Sequence, residues 1–443
     1  MFRGWMLYLG TFVAIVALAL AFLSQRYWFA QAWRFAGRVH DPAWRKGLRS
    51  AMLALLAVVA LVAITDVVAN LRGTISRGSW WSAFLGFWLS SSILSYLLIK
   101  IISAVDWAWT KLRPAFSARP QVSAASPVAA GAGARSASVD HSRRHFFHSA
   151  GLLAGAIPFA SFAYGFVAER FRFEVREIQI PIANLPSALD GMRITQLSDI
   201  HASSFMPLAE VRRAVGMANE LGSALTVVTG DFLTTRTDPL ADCIAELSRL
   251  RAPLGVWGCN GNHEVYARVE TAAANLFHRH GMHLLRAENA ELRWNGSALN
   301  LIGVDYQAQR DAEGNRAAML VGVERLVRRD VPNILLSHNP NSFPRAAELG
   351  IELSLAGHTH GGQVSVEILN EGWSPARFLT PYVAGLYQRP LLAPEHLTEE
   401  EFDSSMLSAR SSNIYVNRGL GTIGAPVRLG VPPEITLITL RRA

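Results

Sequence analysis

Apolar positions in the first quarter of the chain run on with almost no polar interruption. Trp5–Leu23, Ala51–Val68 and Trp80–Ile102 each approach the roughly 20 residues that a helix needs to cross a bilayer. The ionisable residues inside them are Asp66 and Lys100, both near an end, where Lys100 snorkels and Asp66 sits at the interface. A weaker fourth stretch, Ser149–Val167, is richer in Ala and Gly and carries Pro158. From residue 171 the pattern changes to short β-rich runs alternating with amphipathic stretches, as in an α/β domain. "RITQLSDIH", "ALTVVTGD", "PLGVWGCNGNHE" (253–264), "NILLSHNP", "IELSLAGHTHGGQ", "SSNIYVNRGLG" and "PEITLITL" read as strands. Helices are expected over 208–222, around 240–250, near 267–280 and near 316–328, and the Asn-Gly pair in "LRWNGSALNLIGV" predicts a hairpin.

The expected organisation is a membrane domain over 1–113, a disordered linker over 114–147, a fourth span over 148–170 and a catalytic domain over 171–443. The linker follows from composition: residues 114–140 are mostly Pro, Ala, Ser and Gly, which cannot form a packed core. It ends in "SRRHFF" (142–147), which resembles a twin-arginine export signal and reads equally well as an ordinary basic flank.

Composition sharpens this picture. Nine of the twelve tryptophans lie in the first quarter, as membrane interfaces favour. The net charge of +8 is largely accounted for by basic residues flanking the apolar runs, so it is no nucleic-acid footprint. Arg26, Arg34, Arg38, Arg45, Lys46 and Arg49 between the first two runs, and Lys111, Arg113, Arg119, Arg135, Arg143 and Arg144 after the third, place those loops in the cytoplasm. Four crossings then put the catalytic domain outside it. Two cysteines, Cys243 and Cys259, make neither a disulfide framework nor a zinc ribbon.

Polar clusters recur where strands end: Asp199-Ile200-His201, Gly230-Asp231, Gly261-Asn262-His263-Glu264, His338 in "SHNP", and Gly357-His358-Thr359-His360. Each alone is weak, since an Asp-x-His arises by chance and a Gly-Asp after a strand is most often a turn. In an open α/β sheet, however, ligands bind outside the carboxyl ends of the strands, so the five clusters are expected to converge. Extended backbone would point Asp199 and His201 the same way. Gly361 and Gly362 are expected to leave room for a substrate. His278, His280 and His283 read as a solvated face, and Arg418 and Arg428 either contact a phosphate or brace loops.

Taken in order, the five clusters resemble the signature of the calcineurin-like metallophosphoesterases. "LSDIH", "GNHE", "SHNP", "GHTHGGQ" and the tail "RGLGTIGAPVRLGVPPEI" are similar to the family's membrane-associated bacterial branch. The resemblance spans about residues 173–443 and implies a four-layer α-β-β-α sandwich with two divalent metals, Mn, Fe or Zn. It implies Asp199, His201, Asp231 and His360 on one metal, and Asp231, Asn262, His338 and His358 on the other. His263 would be a catalytic residue that is no ligand, and a metal-bound hydroxide would attack a phosphate ester. Expected partners are the lipid bilayer and a phosphate-ester substrate, lipid or envelope derived. Two other readings stand beside this one. The first is an enzyme like the UDP-2,3-diacylglucosamine pyrophosphatases of lipid A synthesis; the second is an inactive membrane sensor or scaffold.

Overall fold

The computed structural model describes residues 2–71, 80–116, 133–308, 317–368, 371–378, 380–390 and 411–443. The chain forms two compact units, Met1–Ile75 with Trp81–Ala163, and Ser76–Trp80 with Tyr164–Ala443.

The first unit is helical: α1 (Phe2–Gly37), α2 (Pro42–Leu71), α3 (Trp80–Phe116) and α4 (Gly133–Val167). Helices expose Leu18, Phe22, Leu61, Ile101, Leu152 and Leu153, large apolar side chains that a water-soluble unit would bury. Their contacts with one another combine aromatic rings, such as Trp28 of α1 and Trp88 of α3 on Phe159 of α4, with polar and small groups. Gln25 of α1 donates to Ser92 Oγ of α3 at 2.6 Å and accepts from Trp88 Nε1 at 2.8 Å. Ser95 Oγ of α3 donates to the Gly155 carbonyl of α4 at 2.6 Å.

Within the described residues, Ala83–Leu112 and Ser149–Phe171 are long and apolar enough to cross a membrane. The expected spans Trp5–Leu23 and Ala51–Val68 are helical within α1 and α2, but several of their side chains, Asp66 included, lie outside the described set. The linker expectation needs correction. Residues 114–116 belong to α3 and 133–147 to α4, so helix occupies both ends of the proposed linker, and 117–132 lie outside the described residues. Alanine, frequent in this segment, has the highest helix propensity, which composition alone had read as disorder.

The second unit is built on two six-stranded sheets. Its elements are β1 (Glu174–Ile182), β2 (Arg193–Leu197), α5 (Leu208–Glu220), β3 (Leu225–Thr229), α6 (Leu240–Leu247), β4 (Val256–Cys259), α7 (Asn262–Ala267), α8 (Glu270–Arg279), β5 (His283–Leu284), β6 (Glu288–Trp294), β7 (Ser297–Gly303), β8 (Asn333–Leu336), α9 (Phe343–Glu348), β9 (Leu353–Ala356), β10 (Val366–Ile368), β11 (Glu371–Trp373), β12 (Gly385–Pro390), β13 (Ser411–Val416) and β14 (Glu434–Arg442). One sheet has the order β1-β14-β2-β3-β4-β5 and the other β12-β13-β9-β8-β7-β6, with β10-β11 a separate ribbon. Strands β2 to β5 are mutually parallel, as are β7, β8, β9 and β13.

Side-chain alternation assigns the layers. Ile194, Leu225 and Val227 of the first sheet share one buried cluster with Leu301, Ile334 and Leu336 of the second, so the sheets pack face to face. The opposite face of the first sheet, through Leu197 and Val228, buries against Val211 of α5, Ile244 of α6 and Phe277 of α8. Beyond the second sheet, Ile302 and Leu335 pack on Ala346 of α9. Helices, two sheets and helix make four layers. Strands buried on both faces are continuously apolar, which is why β3 and β8 show no polar alternation.

Two local expectations fail. The extended run expected over 253–264 stops at Cys259, and the chain turns directly into α7. The helix expected near 316–328 is a single 3₁₀ turn, Val323–Arg325, with 316 outside the described residues. Left-handed backbone at Leu320 (φ 57°) and Gly322 (φ 81°) interrupts any longer helix.

Candidate metal centre

All five clusters come together, but they do so across two sheets rather than along one. Asp199 and His201 follow β2, Asp231 follows β3, and Asn262 and His263 follow β4, all in the first sheet; His338 follows β8, and His358 and His360 follow β9, in the second. The pairings Thr229↔Cys259 and Leu336↔Leu355 bring these carboxyl ends level. The site therefore sits on the rim of the sandwich, where both sheets deliver loops.

Extended geometry does not aim these side chains. Asp199, His201, Asp231, His358 and His360 all have positive φ, between 49° and 75°. Such backbone is uncommon for non-glycine residues and stores strain of about 1–3 kcal/mol each. Close approach of the loops supplies the compensation. A Cβ on Gly357 would lie 2.0 Å from Ser198 Oγ and 2.2 Å from Asp199 Oδ2, and one on Gly261 would lie 2.1 Å from Asp231 Oδ1. Gly362 is explained the same way: its Cβ would meet Ser374 Oγ at 1.8 Å. It makes room for the segment around Ser374 while also lining the pocket over the centre.

The donor atoms converge. Asp231 Oδ2 lies 3.5 Å from His201 Nε2 and 3.1 Å from His338 Nε2, so one carboxylate oxygen stands between two groups of imidazoles. Its other oxygen accepts the His263 N–H at 2.9 Å. Asp199 Oδ1 is 3.3 Å from His360 Nε2 and 3.9 Å from His338 Nε2, and the Asp199 carboxylate also accepts the His358 N–H. His358 Nδ1 is 2.7 Å from Asn262 Oδ1. Asp199, His201 and His360 form one group of potential metal donors and Asp231, His338 and His358 another, all within 4.8 Å in each case. His263 groups with His201 and Asp231, so proximity alone does not set it apart from the ligands.

The nitrogen tautomers favour a cation. His338 Nδ1 lies 2.6 Å from the Thr229 carbonyl and His263 Nδ1 2.7 Å from the Thr234 carbonyl; a carbonyl only accepts, so each Nδ1 carries a proton and each Nε2 is turned to bind elsewhere. His338 Nε2 is buried and turned toward Asp231 Oδ2 at 3.1 Å. His201 Nε2 and His360 Nε2 face each other at 3.2 Å, the spacing of two imidazoles bound about 2.0–2.1 Å from a shared metal.

Electrostatics agree. Burial opposes charge on His338, yet Asp231 and Asp199 outweigh it and push the imidazole up to about 10. Burial also works against ionisation of Asp231, but His338 and His201 prevail and hold the carboxyl well below its usual range. Burial, reinforced by neighbouring imidazoles, lowers His358 to about 4 and carries His360 well below its ordinary value. Neutral imidazoles beside buried carboxylates that demand a positive charge are a donor set fitted to divalent cations.

The family model for calcineurin-like phosphoesterase matches residues 192–362, the segment that carries every one of these side chains. Residues 192–362 are a calcineurin-like phosphoesterase domain. It is 29% identical over 289 residues to a Danio rerio "Transmembrane protein with metallophosphoesterase domain", covering 63% of this chain and 60% of that protein's length. Over 315 residues it is 29% identical to the "Uncharacterized metallophosphoesterase YkuE" of Bacillus subtilis, covering 68% of this chain and 98% of YkuE. It is 26% identical over 304 residues to the "UDP-2,3-diacylglucosamine pyrophosphatase LpxG" of Chlamydia trachomatis, covering 58% of this chain and 86% of LpxG.

The phosphoesterase domain also uses residues whose part was not readable from their own motifs. Glu264 accepts the backbone N–H groups of Asp231, Phe232 and Gly261 at 2.8 to 2.9 Å, tying the loop after β3 to the loop after β4. Gln363 pairs both ends of its amide with the main chain of Ile423, joining the His358-His360 loop to the glycine-rich tail. Arg428 is wholly buried and donates to the carbonyls of Arg418, Gly419, Gly421 and Val431, which settles its role as bracing. His278 and His280 are exposed, whereas His283 stacks on Trp257 with centroids 4.1 Å apart. A pocket of about 700 Å³ opens over the centre, lined by Asp231, Asn262, His263, Tyr306, His358 and His360 among others.

Proposed function

We propose that the protein is a membrane-anchored phosphoesterase that holds two divalent cations, with Asp199, His201, Asp231 and His360 on one and Asp231, Asn262, His338 and His358 on the other. The observation that carries this reading is the single oxygen of Asp231 standing 3.5 Å and 3.1 Å from the imidazoles of the two groups. Two cations bound there supply Lewis acidity toward a phosphoryl oxygen and acidify a water molecule for in-line attack. The chain's own residues do the rest. Asp231 and Asp199 compensate the positive charge, and the carbonyls of Thr229 and Thr234 fix the tautomers of His338 and His263. His263, which lines the pocket and keeps its Nδ1–H on the Thr234 carbonyl, donates from Nε2 to the leaving oxygen as the imidazolium, having first taken up a proton from solvent. The helical unit anchors the enzyme in a bilayer. The basic loops support an orientation with the catalytic domain outside the cytoplasm, facing an envelope-derived ester.

The test uses the full chain in detergent, with bound metal measured by mass spectrometry and hydrolysis followed on p-nitrophenyl phosphate and its bis-ester with added Mn²⁺. Asp231→Ala is expected to lose both metals and at least about 100-fold in rate. Unchanged metal content and rate in that variant would overturn the assignment.

A second reading is favoured by the likeness to LpxG. On that reading the scissile bond is the pyrophosphate of a nucleotide-linked lipid, and the same centre acts on the cytoplasmic face. Cleavage of UDP-2,3-diacylglucosamine at a rate far above that of simple esters would select it.

A further inference from the structure

The pocket over the centre combines polar side chains, Asn339, Asn341, Thr359 and Gln363, with apolar ones, Ala308, Ala376 and Ile423. One side differs. Tyr306 lies with its ring 5.5 Å from that of His358 and 6.2 Å from that of His338. Tyr266 stands edge-on to Tyr306 at 6.3 Å, and its ring is 5.9 Å from that of His263. Four ring contacts thus run from His338 and His358 through Tyr306, which lines the pocket, to Tyr266 beside it and back to His263.

The wall is held in place rather than merely present. Asp305, the residue before Tyr306, accepts Asn260 Nδ2 at 2.7 Å and Arg286 Nε at 2.8 Å. Tyr266 is set by α7, three residues after His263 and therefore on the same helical face. Tyr266 is nonetheless 64% exposed. A large, rigidly mounted ring open to solvent beside a catalytic histidine has a face to offer a ligand.

We propose that Tyr266 and Tyr306 form the leaving-group subsite, and that the alcohol released from the ester carries a planar aromatic ring. This rests on the two-metal phosphoesterase reading, in which His263 donates to the leaving oxygen and so locates the leaving group on the tyrosine side. Flat ring faces recognise a flat partner by stacking, and Tyr306 brings such a face to the pocket wall.

The experiment compares benzyl phosphate with cyclohexylmethyl phosphate, each also as its methyl diester. The two alcohols are close in size and differ in planarity and aromaticity; benzyl alcohol is also the more acidic leaving group, so the decisive reading is the change in the ratio when the ring is removed. In the full chain with Mn²⁺, kcat/KM for the benzyl ester is expected to exceed that for the saturated ester by about tenfold. Tyr266→Ala should lower the ratio severalfold, mainly by lowering the benzyl rate, whereas Tyr266→Phe, which keeps the ring, should preserve it. Hydrolysis of both esters with the same ratio in wild type and Tyr266→Ala overturns the subsite. Failure of the wild type to hydrolyse any of these esters or the p-nitrophenyl esters, with metal bound, overturns the phosphoesterase reading and this inference with it.

Discussion

Glu264 is the residue on which the geometry of Asp231 depends most directly, although it faces no cation. Its buried carboxylate is the acceptor for three backbone N–H groups drawn from two loops that are about 30 residues apart in sequence. Glu264→Ala leaves those donors buried and unpaired, at about 1–3 kcal/mol each. The expected loss is about 3 kcal/mol or more in urea-induced unfolding of the metal-free protein, a large share of ordinary domain stability. An unchanged unfolding midpoint would mean that water reaches these amides and that the carboxylate is dispensable. The contrast with its neighbours shows what a sequence discloses at this scale. Asp199, His201, Asp231, His338, His358 and His360 stood out because the chemistry restricts residue type and spacing. The left-handed backbone of all of them but His338 did not, because it goes with the close approach of neighbouring loops at Gly357 and Gly261. Glu264 was visible only as a variant letter in a motif, since its partners are main-chain groups that any sequence supplies. Tyr306 and Tyr266, 40 residues apart, carry no mark of their meeting.

At the scale of elements, the helix expected over 208–222 is α5, because its apolar positions recur at helical spacing and one face must be buried on the first sheet. The short β-runs are strands for the complementary reason that both their faces are covered. Strand order was not readable: four-residue strands such as β4 and β8 look alike, and which sheet each joins is decided by packing of Leu301, Ile334 and their neighbours against Ile194 and Val227. One interhelical contact lends itself to a pH test. Glu246 on α6 takes the Arg212 guanidinium of α5 at 3.0 Å and pairs with Arg249, and hydrogen bonding to Arg212 lowers its carboxyl below the ordinary 4.5. A lowered folded-state value means that its stabilisation is present above pH 4.5 and disappears as pH falls through that lower value. Glu246→Gln should therefore cost at most about 1 kcal/mol at pH 7. It should also flatten the loss of stability below pH 4.5, measured by urea midpoints across pH 3 to 7. An equally steep acid limb in the variant would assign that loss to other carboxylates.

For the whole molecule, the two compact units correspond to the two regimes of hydrophobic patterning, and what patterning leaves open is the side of the membrane on which the catalytic unit lies. Positive charges at Arg26 to Arg49 and again after the third apolar run argue that these loops stay in the cytoplasm and that four crossings carry residue 171 onward to the opposite side. The cysteines make this testable without rebuilding the protein. Cys243 and Cys259 are both fully buried, and burial raises both thiols far above their usual range, so neither reacts with a maleimide in the folded domain. Glu220, at the exposed end of α5, can then be replaced by a single reactive thiol. In bacterial spheroplasts producing the Glu220→Cys chain, a membrane-impermeant maleimide is expected to label the protein before lysis as fully as after it. Labelling confined to lysed cells would put the centre in the cytoplasm, reverse the assignment drawn from the basic loops, and move the choice of substrate toward the nucleotide-linked lipid. If the orientation holds, Arg143→Lys with Arg144→Lys separates the two readings of "SRRHFF". Label before lysis vanishes if that pair is read as a twin-arginine signal, and persists if it is only a basic flank.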